Sequence, residues 1–389
     1  MKTNIPERIA ALREAMKQQK VDAYIIPSSD PHLSEYPADR WKSREWISGF
    51  TGSAGTIVVT ADKAGLWTDS RYFLQAASQL EGSGIELYKL ALPETPSITE
   101  FLLHELHTGQ AVGLDGQTYS AAEASALANK LSRKEIKLDT SADLIEGIWK
   151  DRPAVPGNPI FEMPEALSGA SVHEKLDLIN NQLRSEGADC LILAALDEIA
   201  WTFNIRGTDV TYNPVVVSYA FVSEDESVLF IKPEKLTAEI TEHLKKEGVT
   251  LAEYSMIQRY LSRLPENSRV FVDMNKTNVS LYDAIPGNCT IVEGISPANH
   301  LKSTKNETEI KGFQNAVVKD GVALTKFYIW LEKQMAEGAQ VTEISAAEKL
   351  TALRAEQPQY IMDSFGTICG YAEHGAIVHY SATPETDAT

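Results

Sequence analysis

A pattern that occurs twice is the feature that most constrains how this chain can fold. Residues 174–207 form a helix-like segment, an apolar segment that begins with aspartate, and an aromatic stretch that closes on glycine. Residues 7–27, followed by 44–52, repeat that order, and strand-like apolar runs follow each copy. Internal similarity of this kind indicates a duplicated structural unit. The sequence therefore predicts an α/β fold with two successive domains of one design.

The first domain is expected to mix helices and strands. Ile9, Leu12 and Met16 recur at helical spacing before the apolar segment 22–27. Serine-capped helices are predicted at 96–106 and 120–133, and strands are predicted at 55–61, 64–69 and 85–90. Residues 151–159 contain three prolines, which discourage both helix and sheet. We therefore predict domains at 1–155 and 160–303.

A third unit is predicted at 304–389. Ile310, Phe313, Val317, Leu324 and Phe327 lie at helical spacing and predict a long helix that packs on a sheet. A second helix is predicted at 342–357, with a cap at Thr342 and a capping box from Ser345 to Glu348. Two strands are expected after it. Because so few elements cannot easily bury their apolar faces in about 80 residues, we expect this unit to be incomplete.

Composition excludes several classes of protein. The 389 residues include 36 basic and 54 acidic side chains, a formal net charge of -18, which repels phosphate backbones and anionic lipids. No apolar run reaches the roughly 18 residues of a membrane span, and the amino terminus lacks a secretory signal pattern. Cys190, Cys289 and Cys369 form no metal-binding motif. These features predict a cytoplasmic protein that binds neither nucleic acid nor membrane.

Few residues are candidates for chemistry on their type alone. His379 lies in the glycine-rich segment 364–380, where glycines let the backbone approach a ligand, although a buried edge strand with a satisfied histidine is the favoured explanation on residue type alone. Arg71 could hold a carboxylate or peptide carbonyl, or could pair locally with Asp69. Asp197 and Glu198 are expected to point to opposite faces of a strand, which argues against a shared metal or acid–base site.

Other motifs favour structural interpretations. Gly49, Gly52 and Gly55 are better explained by a tight turn than by a phosphate-binding loop, because a strand and not a helix follows them. The tryptophans and cations of 40–50 are interpreted as packing and a partner surface. Residue types alone therefore indicate only an acidic, multidomain α/β protein.

Longer motifs resemble a known family. SGFTGSAGT, WTDSRYFLQAA, LDEIAWTFNIRGTDV, NPVVVSYA, VTEISAAEKL and GAIVHYSATPET together are similar to the three-domain cytosolic type of Xaa-Pro aminopeptidase, a pita-bread metallopeptidase. The resemblance implies two tandem creatinase-N-terminal-like α/β domains, followed by the start of a pita-bread α+β domain. It also implies a homodimer that removes the first residue of peptides with proline in second position.

The resemblance assigns roles to two residues. His379 matches the histidine of the GAIVHY motif and is implied to contact the peptide and to stabilise or protonate the developing charge. Arg71 matches the arginine of the WTD-x-RYFLQ motif and is implied to contact the peptide, of its own or of the neighbouring subunit. Two divalent metals, usually manganese, would activate water in the family.

The metal ligands of the family are expected after the GAIVHY motif, and this sequence contains none of them. We therefore expect no metal ligands in this chain and no activity from it as it stands. One competing hypothesis is a non-catalytic creatinase-like module that binds peptides or proteins. Another is a pita-bread enzyme of other specificity, which the tandem amino-terminal domains argue against.

Overall fold

The computed structural model describes residues 4–389, and its first sheet contains the four predicted strands and two, at 111–114 and 137–139, that were not predicted. Six strands lie side by side in the order β4-β3-β2-β1-β5-β6. They are β1 Ala23–Pro27, β2 Thr56–Thr60, β3 Ala64–Thr68, β4 Glu86–Lys89, β5 Ala111–Leu114 and β6 Lys137–Asp139. Only the β1–β2 and β2–β3 pairs are antiparallel; the others are parallel.

The second sheet repeats the first. Its order is β12-β11-β10-β8-β13-β14, and only the two pairs that involve β10 are antiparallel, just as only those that involve β2 are in the first sheet. The strands are β8 Cys190–Leu193, β10 Ser218–Ser223, β11 Ser227–Ile231, β12 Val249–Ala252, β13 Arg269–Val272 and β14 Thr290–Glu293, and a separate pair joins β7 Phe161–Glu162 to β9 Ile205–Arg206. Because order and orientation match throughout, the predicted duplication is confirmed.

Helices cover both sheets. Those of the first repeat are α1 Ile5–Gln19, α2 Ser43–Ser48, α3 Phe73–Gln79, α4 Ile98–Glu105, α5 Ala121–Leu131 and α6 Leu144–Ile148. Those that follow are α7 Glu165–Ser168, α8 Val172–Glu186, α9 Leu196–Thr202, α10 Ala238–Lys246, α11 Ile257–Leu261, α12 Val279–Tyr282 and α13 Pro297–Ser303. Each sheet has an apolar core on both faces. The predicted face of α1, Ile9, Leu12 and Met16, is buried in one of them.

A polar seam joins the two repeats. The ring of His32, 1% exposed, donates from Nδ1 to the carbonyl of Ala194 at 2.8 Å and accepts at Nε2 from the Tyr254 hydroxyl at 3.0 Å. Asn278 donates to the carbonyl of Pro31 at 2.7 Å, and the Tyr219 ring lies 4.4 Å from that of His32. Burial lowers the pKa of His32, so the ring is neutral at pH 7.

The remaining region, 304–389, differs from its prediction. It contains α14 Glu307–Ala336 and α15 Glu343–Ala355, and no strand is present within it. The expected helices are therefore confirmed, whereas the expected strands and the packing of the first helix on a sheet are wrong. Ile310, Phe313 and Val317 are 45%, 60% and 70% exposed, because α14 packs mainly against α15 and, near its start, against α7.

Two local predictions also need correction. Asp197 and Glu198 lie in the first turn of α9 and not on a strand, because the apolar run of β8 ends at Leu193 and the next residues form a helix. The capping box of α15 joins Thr342 to Ser345. Glu348 takes no part in it. No helix among residues 4–389 has the length and apolar character needed to cross a membrane.

Candidate active site

Arg71 lies just after β3 and forms an ion pair with Asp69, two residues earlier. β3 ends at Thr68, and Asp69 then caps a short 3-10 turn by accepting from the backbone N–H of Arg71 at 3.1 Å. The guanidinium donates from Nε and Nη2 to the two Asp69 carboxylate oxygens, both at 2.8 Å. That pairing lowers the pKa of Asp69 and raises the pKa of Arg71. The local pair that the sequence offered as an alternative is therefore present, and it holds Arg71 in a fixed orientation.

His379 is brought to the same place from the far end of the chain. The Tyr72 hydroxyl lies 2.6 Å from Nδ1 of His379, and the two rings meet edge to face with centroids 5.3 Å apart. The guanidinium carbon of Arg71 lies 5.1 Å from the centroid of the Tyr72 ring, so the two sequence-predicted site residues flank one phenol ring. His379 is half buried and lies in no strand, so the edge-strand alternative is wrong.

The loop between α2 and β2 contacts Tyr72. The Ser53 hydroxyl lies 2.7 Å from the Tyr72 hydroxyl. The buried guanidinium of Arg44 donates to Ser28 Oγ at 2.9 Å and to the carbonyls of Phe50 and Gly52, which shapes this loop. Burial lowers the pKa of Arg44 to about 10. Residues 49–55 form an irregular loop between α2 and β2 and not one tight turn, although a strand follows them as expected. Among the cations of 40–50, Arg44 is structural.

A buried carboxylate fixes the segment that carries His379. Glu343, at the first position of α15, accepts from the Tyr380 hydroxyl at 2.8 Å, from His374 Nδ1 at 3.0 Å and from the backbone N–H groups of Tyr371 at 2.6 Å and Ala388 at 3.1 Å. Burial alone would raise the pKa of Glu343, but these donors together lower it to about 2. Because Tyr380 is adjacent to His379, this network anchors the chain next to the histidine.

A cavity opens beside Arg71 at the junction of the two repeats. Its volume is about 550 Å³, and its lining includes Ser28, Glu35, Arg71, Ser120 and Asn275. Hydroxyl, amide and charged groups dominate these walls. Such a surface can hydrogen-bond a peptide backbone and is unsuited to a lipid or another apolar ligand.

The described residues do not fit a dinuclear metal centre. Among residues 4–389, no group of three or more His, Cys, Asp or Glu side chains is placed to hold a metal ion. Asp197 pairs with Lys302 at 2.7 Å, while Glu198 accepts from Asn299 at 3.2 Å, so these two carboxylates bind α13 and do not converge on one point.

Sequence reasoning found Arg71 and His379 but missed the groups that hold them. Tyr72, Ser53 and Glu343 each stand within a motif that carries the family resemblance, and that was the available signal. Their contacts gave no signal, because Ser53 lies 19 residues from Tyr72 and Glu343 lies 37 residues from Tyr380 in sequence. Roles in binding or catalysis stay predictions for all of these residues.

Comparison with known families matches both repeats. Two models described as the Creatinase/Prolidase N-terminal domain match residues 8–148 and 151–309. Each match contains one six-stranded sheet. The region beyond residue 309 lies outside both matches.

Curated relatives extend the similarity along nearly the whole chain. A probable Xaa-Pro aminopeptidase P from Laccaria bicolor is 38% identical over 390 residues, which is 98% of this chain and 60% of the relative. Aminopeptidase P2 from Arabidopsis thaliana is 36% identical and is covered to 59% of its length. The chain therefore spans about three fifths of the length of these relatives.

A solved structure shares the fold. The X-prolyl aminopeptidase from Caenorhabditis elegans, described as a cytosolic enzyme with a di-nuclear active site, superposes with a TM-score of 0.93 at 30% identity. The similarity covers 99% of this chain and 65% of that protein. The relative placement of both sheets and of 304–389 is therefore shared with that enzyme.

Proposed function

The chain belongs to the creatinase/prolidase family, with two of its N-terminal domains in tandem and homology to Xaa-Pro aminopeptidases, and from this membership we propose that its protein releases the first residue of peptides with proline in second position. One observation carries the proposal. Arg71 and His379, more than 300 residues apart, flank the same phenol, Tyr72. A peptide held there would meet a cation and an imidazole together.

Each residue has a chemical role in this proposal. Arg71 offers a planar pair of donors suited to a carboxylate or a carbonyl, and its pairing with Asp69 fixes the direction in which it points. His379 donates a hydrogen bond to the oxygen on which charge develops as the scissile peptide bond is attacked. Such a donor acts on the reaction itself, because the bond that it makes strengthens as negative charge appears.

The metals of the proposed enzyme would activate the attacking water and polarise the scissile carbonyl. We propose two divalent ions, manganese by preference, held by residues other than those described. A cytoplasmic location and a homodimer belong to the same proposal. The C. elegans enzyme, described as cytosolic and di-nuclear, supports the location and the number of metals.

The proposal is tested by measuring release of the first residue from an Xaa-Pro-Pro peptide, with manganese present and absent. Residues 1–389 are compared with the protein extended to the end of its gene, and an Xaa-Ala-Pro peptide is the control substrate. We expect cleavage of the proline peptide by the extended protein alone, and a metal content of about two ions per chain in that protein only. No cleavage by either protein contradicts the proposal and favours the non-catalytic binding module.

Substitutions at the two residues sharpen this test. In the extended protein, His379→Ala is expected to lower kcat roughly 100-fold, as the loss of one preorganised donor does in other enzymes. Arg71→Ala is expected to raise KM with a smaller change in kcat, because a peptide contact acts before the reaction as well as during it. Unchanged kinetics in both variants would show that the flanking geometry is not the active site.

A further inference from the structure

We propose that Tyr72 is a positioning residue that holds His379 in the tautomer whose proton lies on Nε2, where it can be donated to a bound peptide. This inference rests on the proposed function, because only that function gives Nε2 a substrate to meet. The structural part of the inference, the tautomer itself, can be tested without any activity.

The hydrogen-bond chain Ser53–Tyr72–His379 supports this assignment. A phenol hydroxyl has one hydrogen, and a neutral imidazole has one donor nitrogen and one acceptor nitrogen. A phenol O–H is a stronger donor than a neutral imidazole N–H, so the 2.6 Å contact is best explained by Tyr72 donating to Nδ1. The Ser53 hydroxyl, 2.7 Å away, then donates to the phenol oxygen. Every hydrogen of the chain is used in this order.

The position of the proton follows from that order. With Nδ1 accepting from Tyr72, the hydrogen of the neutral ring must be on Nε2. The reverse order would make Nδ1 the donor, leave the Ser53 hydrogen without a partner in this chain of contacts, and turn Nε2 into an acceptor. An acceptor there would repel a developing oxyanion, so only the first order suits the proposed role of His379.

The Tyr72 ring is too constrained to adopt another orientation. It is 1% exposed and meets the Phe50 ring edge to face at a centroid distance of 5.8 Å. A Cβ atom at Gly52 would lie 2.6 Å from the Tyr72 ring, so glycine is required for the loop to approach this closely. The buried guanidinium of Arg44 donates to the carbonyls of Phe50 and Gly52 and so fixes the backbone of this loop. A phenol held this firmly can impose one tautomer on a histidine that is itself only half buried.

The arrangement also explains how the first repeat takes part in the site. Tyr72 and Ser53 belong to that repeat, whereas His379 follows α15 and is anchored there through Tyr380 and Glu343. The imidazole is therefore positioned by contacts from two regions of the chain. Separation of the first repeat from 304–389 would release Nδ1 even if every residue of the site were intact.

Nuclear magnetic resonance of the histidine side chains tests the tautomer directly in residues 1–389. The 15N shifts distinguish Nε2–H from Nδ1–H imidazole, and His379→Gln identifies the signal among the eight histidines. We expect Nε2–H in the parent and a mixture in Tyr72→Phe, which keeps the ring but removes the donor. Tyr24→Phe is the control, because Tyr24 is an equally buried tyrosine of the same repeat whose hydroxyl contacts Ala142 and Leu144 and not a histidine. A parent signal of the Nδ1–H form, or one unchanged in Tyr72→Phe, overturns the proposal.

Kinetics of the extended protein test the consequence. We expect Tyr72→Phe to lower kcat roughly tenfold with KM nearly constant, since orientation of a donor is worth less than the donor itself. Ser53→Ala should act in the same direction by a smaller factor, and Tyr24→Phe should leave kcat unchanged. Equal loss in Tyr72→Phe and Tyr24→Phe would indicate a structural role and overturn the proposal. If the extended protein cleaves nothing, the proposed function fails, and the tautomer measurement still decides the placement of the proton.

Discussion

The two sheet repeats and the region 304–389 contain similar proportions of apolar residues but bury them very differently. Each repeat surrounds a sheet with helices, and its core side chains are almost entirely inaccessible. Beyond residue 303, the buried apolar side chains of the described structure are Ala323, Ala346, Leu350, Leu353 and Tyr380. The apolar stripe of α14 is left exposed.

The difference shows what makes a region independent. A sheet covered on both faces satisfies its backbone hydrogen bonds and its apolar side chains within one stretch of sequence. Two helices in contact satisfy their backbones but leave the outer apolar faces open, because nothing covers them. The repeats are therefore expected to carry the stability of the chain, and 304–389 is expected to depend on other contacts.

The largest effect that would break this comparison comes from matched phenylalanine truncations. Phe50 is fully buried in the first repeat, whereas Phe313 is 60% exposed on α14. Phe50→Ala should lower the free energy of unfolding by about 3–5 kcal/mol through lost burial and a residual cavity, and Phe313→Ala should change it by no more than about 0.5 kcal/mol. Denaturant unfolding of residues 1–389 measures both.

A cost for Phe313→Ala comparable to that of Phe50→Ala would contradict the comparison. It would show that α14 buries this ring in solution, for example against a second copy. Repeating the unfolding over a tenfold range of protein concentration separates these cases, because stability gained by association rises with concentration.

The fold of the repeats could be predicted because its signals are local. Ile9, Leu12 and Met16 mark a helix by spacing alone, and short apolar runs bounded by turns mark the strands. The segment 213–222 shows where this fails, since β10 begins only at Ser218 although the apolar run starts earlier. Pairing decided that boundary, because Ser218 is the first residue of the run opposite β11.

The site could be predicted only in part. Motifs identified Arg71 and His379, but residue patterns do not show that a tyrosine of the first repeat and a glutamate of α15 both support the same histidine segment. The sequence predicts Asp197 and Glu198 on a strand, whereas they lie on a helix that packs against β10 and α13. Contacts between distant segments depend on tertiary structure, which spacing does not reveal.

A smaller effect concerns the seam that joins the repeats, where His32 is buried beside Tyr219 and Tyr254. Burial lowers the folded pKa of His32, whereas the unfolded value is about 6.5. As pH falls below about 6.5, the unfolded chain takes up a proton that the folded seam resists, so the free energy of unfolding decreases until the lowered folded pKa is reached. The unfolding midpoint should therefore be lower at pH 5.5 than at pH 7.5.

The comparison variants for this prediction are His32→Gln and His107→Gln. His32→Gln removes the titrating ring, so its midpoint should change less between the two pH values than that of the parent. His107 is exposed just after α4, and its replacement should leave the parental pH dependence intact. Equal pH dependence in the parent and His32→Gln would show that other groups control it.

A local effect is expected from Glu343→Gln. The amide of glutamine keeps one acceptor oxygen where the carboxylate has two, so some donors of the segment 371–388 lose their partner. Amide hydrogen exchange at Tyr371 and Ala388 should become roughly tenfold faster, while the amides of β1 keep their protection. The parent should lose the same contacts in acid, because a pKa lowered to about 2 gives stability above about pH 4.5 that disappears as pH falls towards 2. Faster exchange throughout β1 would contradict the independence of the repeats.

The smallest effect on stability is expected at Asp69, and it separates structure from function most sharply. Asp69→Asn keeps the side-chain oxygen that caps the turn but removes the charge that Arg71 pairs with. The arginine side chain of the pair is more than a third exposed, so water and salt screen the interaction. The free energy of unfolding should therefore change by less than about 1 kcal/mol. In the extended protein, however, Arg71 would lose its fixed direction, so KM for an Xaa-Pro-Pro peptide should rise while kcat changes little. A variant that loses stability by several kcal/mol and keeps its KM would show that the ion pair supports the fold and has no part in peptide binding.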